Sequence, residues 1–287
     1  MSAERLALGT VQFGLDYGVA NSRGRVEADE VAAILDLART AGIDTLDTAV
    51  GYGGSERTLG EAGVAGFNIL TKLPELPEAT TDVIGWVLTE ATASIERLGR
   101  QRLHGLLLHR PLDLVGPRGQ ELRAGLVAAR ETGLTDRIGV SVYSPEDLDR
   151  VWNDDLDLVQ APSNALDRRL ASSGWLDRLA DAGAEVHTRS AFLQGLLLMD
   201  ERPAYFDRWA DVLGSWDRWV ESNECSSVEA ALGAALADDR IDRVVIGVDG
   251  RDQLGEILDA LGAPLPVPPD TLGSEDLDLI DPSRWSL

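Results

Sequence analysis

The sequence has almost no cysteine, no secretion signal and no stretch that could cross a membrane. Cys225 is the one cysteine among 287 residues, which excludes an internal disulfide and a cysteine-based zinc site. No basic-then-apolar segment opens the chain, and no uninterrupted apolar run reaches the ~18 residues that a membrane span needs. We therefore expect a cytoplasmic protein, with 44% hydrophobic residues available for a large core.

Positive charge is also scarce. The chain has 26 basic residues against 49 acidic ones, which gives a formal net charge of −23. An acidic excess of this size repels phosphate backbones and anionic lipids, so it argues against nucleic acids and membrane surfaces as partners. Histidine occurs at only three positions, with no H-x-x-H or E-x-x-H spacing, and we expect no metal site.

The sequence does contain a long alternation of helical and strand-like segments. A helical pattern over Ala28–Thr40 stops at Gly42 and leads into an apolar run, and this helix-glycine-strand unit recurs. Further helices are predicted over Asp82–Leu98 and from Ser144, where serine precedes proline and two acids. The candidate strands are Leu6–Val11, Thr45–Asp47, Asn68–Thr71, Gly105–Leu108, Ile138–Ser141, Leu156–Gln160, Glu185–Ser190 and Arg243–Gly247.

Eight such alternations predict an α/β fold, a single-domain (β/α)8 TIM barrel. The first strand is not followed by G-x-G-x-x-G, which argues against a Rossmann fold. The barrel is expected over residues 1–261, with 194–227 as an extended helical segment between strands 7 and 8. We expect the tryptophans of that segment to pack in the core. Residues 262–287, rich in proline and acids, form a tail predicted to cross the barrel surface.

Polar residues stand directly behind the apolar runs. Active sites of such barrels lie at the carboxyl ends of the strands, so these residues are expected to meet in one site. The predicted strand ends are Gln12, Asp47, Lys72, His109, Ser141, Gln160, Ser190 and Gly247. His104 lies just before the strand that His109 follows, which places it at the opposite, stabilising face of the barrel, and His187 is expected to be structural.

Lys72 is the most informative of these residues, because the other 25 basic residues are all arginine. Lysine offers a compact charge with a tunable pKa, whereas arginine cannot lose its proton near neutrality. A lysine close to Tyr52 would lower the tyrosine pKa from its usual ~10, and Asp47 beside the lysine would keep it charged. A neutral His109 could donate a hydrogen bond to a substrate oxygen. In the glycine-rich loop that carries Tyr52, Ser55 is expected to cap the next helix.

Taken together, these motifs resemble the aldo-keto reductase superfamily, and most closely its bacterial members without an N-terminal hairpin. The matches follow the family order over nearly the whole chain, up to about Leu258. They are Leu8–Gly14, Asp44–Glu56, Leu70–Lys72, Leu106–His109, Ile138–Ser141, Val159–Gln160, Asn164–Arg168, Ser190–Leu196 and Val245–Gly247.

The resemblance implies reversible hydride transfer between NAD(P)H and an aldehyde or ketone. Arg110 beside His109 suggests an anionic or sugar-like group on the substrate, with a surface ion pair as the alternative. The resemblance further implies four catalytic residues: Tyr52 as general acid, Lys72 as the group that tunes it, Asp47 as the partner of Lys72, and His109 as the residue that orients the carbonyl. It also implies the following cofactor-binding residues: Thr10, Ser141, Gln160, Arg189, Ser190, Leu193, Gly195, Gly247, Arg251 and Gln253.

The sequence departs from the family pattern at three places near the cofactor. Val142 stands where asparagine is common, and Arg189 replaces an aromatic residue that stacks on the nicotinamide. The loop 247–251 lacks the usual lysine and serine for the 2′-phosphate; Arg251 would attract that phosphate and Asp249 would repel it. The resemblance favours NADPH, with NADH as the alternative.

Two other functions stay open at this point. One is a Schiff-base lyase that uses Lys72 as its nucleophile, and the other is a nucleotide-binding, redox-sensing or regulatory barrel with little turnover. The expected partner is a small-molecule carbonyl substrate, and the expected state is a monomer or a weak homo-oligomer.

Overall fold

A computed structural model describes residues 3–286 and shows eight parallel strands in a closed barrel. The strands pair in sequence order, and β1 closes the barrel on β8 with Leu6 opposite Val244 and Gly9 opposite Gly247. The predicted single-domain TIM barrel is confirmed. The strands are β1 Leu6–Gly9, β2 Thr45–Asp47, β3 Asn68–Leu73, β4 Leu103–Leu108, β5 Thr135–Ser141, β6 Leu158–Pro162, β7 Glu185–Arg189 and β8 Arg243–Gly247.

Helices connect the strands and cover the outside of the barrel. They are α1 Ala28–Ala41, α2 Ser55–Ala62, α3 Val83–Leu98, α4 Gly119–Glu131, α5 Pro145–Val151, α6 Arg169–Ser172, α7 Trp175–Asp181, α8 Ala210–Ser222, α9 Ser227–Ala235, α10 Arg251–Leu261 and α11 Leu277–Ile280. No helix in residues 3–286 is long and apolar enough to cross a bilayer.

The predicted helix ends have the expected local chemistry. Gly42 adopts a left-handed conformation with φ 87° and closes α1, a geometry that a β-carbon would strain. Asp82 accepts the amide hydrogen of Gly85 and starts α3. Ser144 starts α5 through a reciprocal pair of hydrogen bonds with Asp147, and Pro145 occupies the first helical position.

Strand bounds differ from the prediction by a few residues where turns compete. β1 ends at Gly9 because the chain passes into a 3₁₀ turn at Val11–Phe13. β6 starts at Leu158 rather than Leu156, since the Leu156 amide donates to Asn153 O at 3.1 Å in the preceding turn. β3 runs two residues further than predicted, to Leu73, so Lys72 lies inside the strand near its end.

An apolar layer of three leucines fills the middle of the barrel. Leu70, Leu107 and Leu158 are fully buried and contact one another. Gly105 leaves room for them, because a β-carbon there would lie 2.4 Å from Leu158 Cδ2. Alternate residues of a strand face the same side, so the residues two positions further along these strands also face the barrel axis.

The amino-terminal end of the barrel is closed by ionic hydrogen bonds. Glu185 accepts from His104 at 3.0 Å and from His187 at 2.7 Å, and it forms an ion pair with Arg137 at 2.7 Å. Burial acts against the charged form, but the two histidines hold the pKa of Glu185 well below its ordinary value. These contacts support the structural roles expected for His104 and His187.

The segment before β8 packs through its tryptophans, as predicted. Trp216 is fully buried, Trp209 is nearly so, and Trp219 stacks on Trp216. The C-terminal tail crosses this segment, where Trp285 contacts Phe206 ring to ring at 4.9 Å. The domain bounds stay a prediction, and Met1, Ser2 and Leu287 lie outside the described residues.

Candidate active site

The polar strand ends meet above the leucine layer. Lys72, His109 and Gln160 each follow one of the three leucines by two residues, so they face the same end of the barrel axis. Asp47 ends the neighbouring strand β2. The sequence pattern of an apolar run followed by a polar residue therefore produces one polar layer at the carboxyl end of the barrel.

Lys72 and Asp47 form a buried ion pair in this layer. The Lys72 side chain is fully buried, and its Nζ lies 2.7 Å from Asp47 Oδ1. Nζ also donates to Thr48 O at 3.0 Å and contacts Tyr52 Oη at 3.4 Å. Burial lowers the pKa of Lys72, and the charge and hydrogen bond of Asp47 oppose that shift. With Asp47, Thr48 O and Tyr52 Oη around it, each of the three hydrogens of the Lys72 ammonium group has a partner.

Gln160 completes the surroundings of Asp47. Its Nε2 donates to Asp47 Oδ1 at 2.7 Å, while its Oε1 accepts from Ser141 Oγ at 3.1 Å. The resemblance implies that Gln160 binds the cofactor, but both ends of the Gln160 amide form hydrogen bonds within the protein. A cofactor contact by Gln160 stays a prediction, and the contacts themselves give it a part in holding Asp47.

Tyr52 is held over the pair by a tight loop. Gly14 approaches this loop so closely that a β-carbon on it would lie 1.8 Å from Tyr52 O. The prediction that Ser55 caps α2 is wrong: Gly54 takes the cap position, and Ser55 Oγ donates to Thr10 O at 2.8 Å. The hydroxyl thereby ties the loop to the end of β1.

The pKa of Tyr52 departs from the sequence-based expectation. Burial raises it well above its ordinary value, and the negative charge of Asp47 acts in the same direction. Burial and Asp47 together outweigh the lowering that the sequence attributes to Lys72, so the net shift of the pKa is upward. Tyr52 is a protonated phenol throughout the neutral range, with a hydrogen to donate.

His109 faces Tyr52 across the mouth of the site. The two rings meet edge to face with centroids 5.7 Å apart. Burial lowers the pKa of His109 to about 4, with the positive charge of Lys72 as the next cause. The imidazole is therefore neutral at neutral pH, as the sequence predicts, and can donate one hydrogen bond.

A cleft of about 600 Å³ opens beside these residues. Asp47, Tyr52 and His109 line it, whereas Lys72 lies behind them. The cleft also brings together seven of the ten residues that the resemblance gives to the cofactor: Thr10, Ser141, Arg189, Ser190, Gly195, Gly247 and Gln253. Gln160 and Leu193 are buried behind the wall, and Arg251 is exposed outside it.

The loop after β7 contributes a strained wall to the cleft. Ser190, Leu193 and Gln194 have positive φ angles of 65°, 49° and 54°, which non-glycine residues rarely adopt. Asn164 Nδ2 holds the loop by donating to Ser190 O at 3.1 Å. Such strain persists where the surrounding structure enforces it, and it is frequent at ligand sites.

The wall near β8 holds two acceptor oxygens without a donor. Gln12 Oε1 and Asp249 Oδ1 are buried and make no hydrogen bond to the described residues. Glu256 lines the same end of the cleft. Sequence reasoning missed Glu256, because a helical glutamate has the same pattern whether it faces a cleft or solvent. In the described part of the chain, no group of three potential ligands could hold a metal ion.

The family comparison decides what kind of barrel this is. Residues 5–267 match the aldo/keto reductase family. The chain belongs to this family. The resemblance seen in the motifs is therefore confirmed over nearly the whole chain.

Three individual aldo/keto reductases that resemble this chain share less than 30% of its sequence. The L-glyceraldehyde 3-phosphate reductase of Escherichia coli K12 is 27% identical over 203 residues, which span 61% of this chain and 58% of that relative. The structure of a holo aldo-keto reductase from Bacillus halodurans matches with a TM-score of 0.73 at 19% identity. This match covers 98% of this chain and 95% of the Bacillus chain. A glycerol dehydrogenase from Gluconobacter oxydans has a TM-score of 0.68 at 22% identity, covering 91% and 88%. The two structures share the fold.

Arg189 differs most from the family pattern in this cleft. Its guanidinium lies over the Tyr143 ring, 4.6 Å from the centroid. Nη2 donates to Val142 O at 3.0 Å, and Nη1 donates more weakly to Ser190 Oγ at 3.4 Å. By contrast, Arg110 next to His109 forms an ion pair with Glu75 at the surface. The cofactor contact that the resemblance implies for Arg189 stays a prediction.

Proposed function

We propose that the protein is an NAD(P)H-dependent oxidoreductase that reduces an aldehyde or ketone to an alcohol. The observation that carries this proposal is the placement of a protonated Tyr52 between a buried Lys72–Asp47 pair and a neutral His109 at the mouth of the cleft. The family membership of the barrel gives the reaction class.

Each residue has a physical part in this reaction. Tyr52 donates its proton to the carbonyl oxygen as negative charge develops there. Lys72 stabilises the resulting phenolate, and Asp47 keeps the ammonium charged and oriented. His109 holds the carbonyl oxygen by donating a hydrogen bond from its neutral ring. When bound in this cleft, a reduced nicotinamide would supply the hydride that the carbonyl carbon accepts.

The cleft fits a dinucleotide on features of the protein itself. The orphaned oxygens of Gln12 and Asp249 need donors, and ribose hydroxyls are donors. The strained Ser190–Gly195 loop lines the same cleft. We infer that residues from this loop and the β8–α10 turn hold the cofactor.

The carboxylates that line the cleft at the β8–α10 turn favour NADH over NADPH, although the Arg23 guanidinium also lies against this turn, at Gly250. Asp249 and Glu256 line this end of the cleft, and carboxylates repel a 2′-phosphate. Arg251 does not line the cleft. Its backbone amide, at the start of α10, donates to Glu30 Oε1 at 2.6 Å and is therefore not available to a phosphate. This choice revises the NADPH preference drawn from the resemblance.

We expect the protein to bind NADH more tightly than NADPH in titrations followed by tryptophan fluorescence. Asp249→Ser should tighten NADPH binding, because it removes the charge that repels the 2′-phosphate, and it should weaken NADH binding, because it removes a carboxylate acceptor for the ribose hydroxyls. Arg251→Ala should change neither by as much as 1.5 kcal/mol, the lower end for a hydrogen bond to a charged group. If the wild type bound NADPH more tightly than NADH and Arg251→Ala lost this preference, Arg251 would be the residue that binds the 2′-phosphate.

The lyase hypothesis fits the site less well. A Schiff base needs a free amine that is open to the substrate, whereas Lys72 is fully buried and its three hydrogens have partners. Borohydride treatment with a carbonyl compound should therefore leave no covalent adduct. The regulatory barrel would bind nucleotide and turn over little, which the kinetic test below distinguishes.

The test of the proposed function is carbonyl-dependent oxidation of NADH and NADPH at 340 nm. The panel should start with small hydroxylated aldehydes and ketones, because two of the similar proteins are named for glyceraldehyde 3-phosphate and glycerol. Saturable turnover supports the reductase, and nucleotide binding without turnover supports the regulatory barrel. The cytoplasmic location and the monomer or weak homo-oligomer stay predictions.

A further inference from the structure

Arg189 brings an uncompensated charge into the active-site cleft. Among the described residues that line the cleft, it is the only one with a permanent positive charge. Its side chain contacts are two neutral oxygens, those of Val142 and Ser190, and the Tyr143 ring. No described carboxylate lies within ion-pair distance of it.

This isolation is unusual in so acidic a chain. The protein has 49 acidic residues, and Arg110, beside the same site, pairs with both Glu75 and Asp113. A half-buried charge is costly without a counter-charge, and a planar guanidinium can bind carboxylate or phosphate with two parallel hydrogen bonds. The Tyr143 ring beneath the guanidinium and the hydrogen bond to Val142 O restrain the Arg189 side chain before any ligand arrives.

Tyr17 provides a second donor on the facing loop. Its hydroxyl oxygen accepts from Gln194 Nε2 at 3.1 Å, which leaves the hydroxyl hydrogen available for a ligand. Tyr17 lines the same cleft as Arg189 and Tyr52. His109 lines this cleft as well, so Arg189, Tyr17 and the residues proposed for catalysis face one space.

We propose that Arg189 and the Tyr17 hydroxyl form a subsite for an anionic group, a carboxylate or phosphate, on the carbonyl substrate. This inference rests on the proposed reductase function and adds the substrate class. The subsite and the proton donor Tyr52 line one cleft of about 600 Å³, so a short carbonyl acid or a phosphorylated aldehyde could contact both.

The test compares aldehydes that differ in one charged group. Succinic semialdehyde is paired with butanal, and glyceraldehyde 3-phosphate is paired with glyceraldehyde; the two pairs separate carboxylate from phosphate. We expect the wild type to prefer the charged member of at least one pair by about 10- to 100-fold in kcat/KM. In Arg189→Met this ratio should fall towards one, and in Arg189→Lys it should be partly retained. Tyr17→Phe should reduce the ratio less.

Arg110→Met is the matched control. It removes a neighbouring arginine that already has carboxylate partners, so the charged-to-neutral ratio should not change. If Arg189→Met lowers kcat/KM equally for both members of each pair, the subsite proposal fails while the reductase stands. If Arg189→Met alters the dissociation constants of NADH and NAD⁺ but not the charged-to-neutral ratio of kcat/KM, Arg189 contacts the cofactor and not the substrate.

A direct binding measurement keeps the inference separate from the reaction. Calorimetry should detect succinate or inorganic phosphate bound to the wild type and at least 10-fold weaker binding to Arg189→Met. Equal binding by the two proteins, or none by the wild type, would overturn the subsite. Absence of turnover with every carbonyl would overturn the proposed reductase alone.

Discussion

Replacing Tyr52 by phenylalanine should lower kcat for carbonyl reduction by at least ~100-fold, the scale of general acid catalysis. The substitution removes the hydroxyl that lies 3.4 Å from Lys72 Nζ and keeps the ring that packs against His109. The cleft keeps its shape, so the dissociation constant of the reduced cofactor should stay within about two-fold of the wild-type value. Steady-state kinetics and fluorescence titration measure the two effects separately.

Tyr205→Phe is the matched control for this experiment. Tyr205 packs against Phe206 and Trp209, away from the residues that surround Lys72. Loss of its hydroxyl should leave kcat nearly unchanged, which shows that removal of a tyrosine hydroxyl is not in itself damaging. Wild-type turnover in Tyr52→Phe would show that another group donates the proton.

The sequence predicts the barrel and the polar layer for the same physical reason. The carboxyl ends of all eight parallel strands lie at one end of the barrel. A polar residue directly after an apolar run is therefore expected at that end. This reasoning locates Asp47, Lys72 and His109 without any knowledge of side-chain conformation. It works even where the strand bounds are off by two residues, as for β3, because the alternation of side chains is unaffected.

The sequence does not predict which of several nearby groups a polar side chain will choose as its hydrogen-bond partner. Gln160 faces the cleft end of the barrel, yet its amide binds Asp47 and Ser141. Ser55 has the residue type of a helix cap but reaches Thr10 instead. The pKa of Tyr52 rises because burial and Asp47 act on it, and the depth of burial is a property of the folded site.

Lys72→Arg should also lower kcat by at least ~100-fold, although it keeps a positive charge. Lys72 is fully buried, and its compact ammonium meets Asp47, Thr48 O and Tyr52 at 2.7, 3.0 and 3.4 Å. A wider planar guanidinium cannot reproduce these three directions, and a displacement of ~1 Å can cost ~100-fold in rate. Overpacking should lower the free energy of unfolding by about 1–3 kcal/mol, measured by urea denaturation.

A pair of further variants separates the catalytic role of Lys72 from its structural one. Lys72→Met leaves the buried Asp47 carboxylate without its counter-charge, which should cost about 3–5 kcal/mol of stability. Adding Asp47→Asn removes that charge and should restore much of the stability, while kcat stays low because no cation stabilises the Tyr52 phenolate. If the double variant regained activity together with stability, Lys72 would only hold the site in shape. Near-normal activity in Lys72→Arg would mean that any nearby positive charge is sufficient.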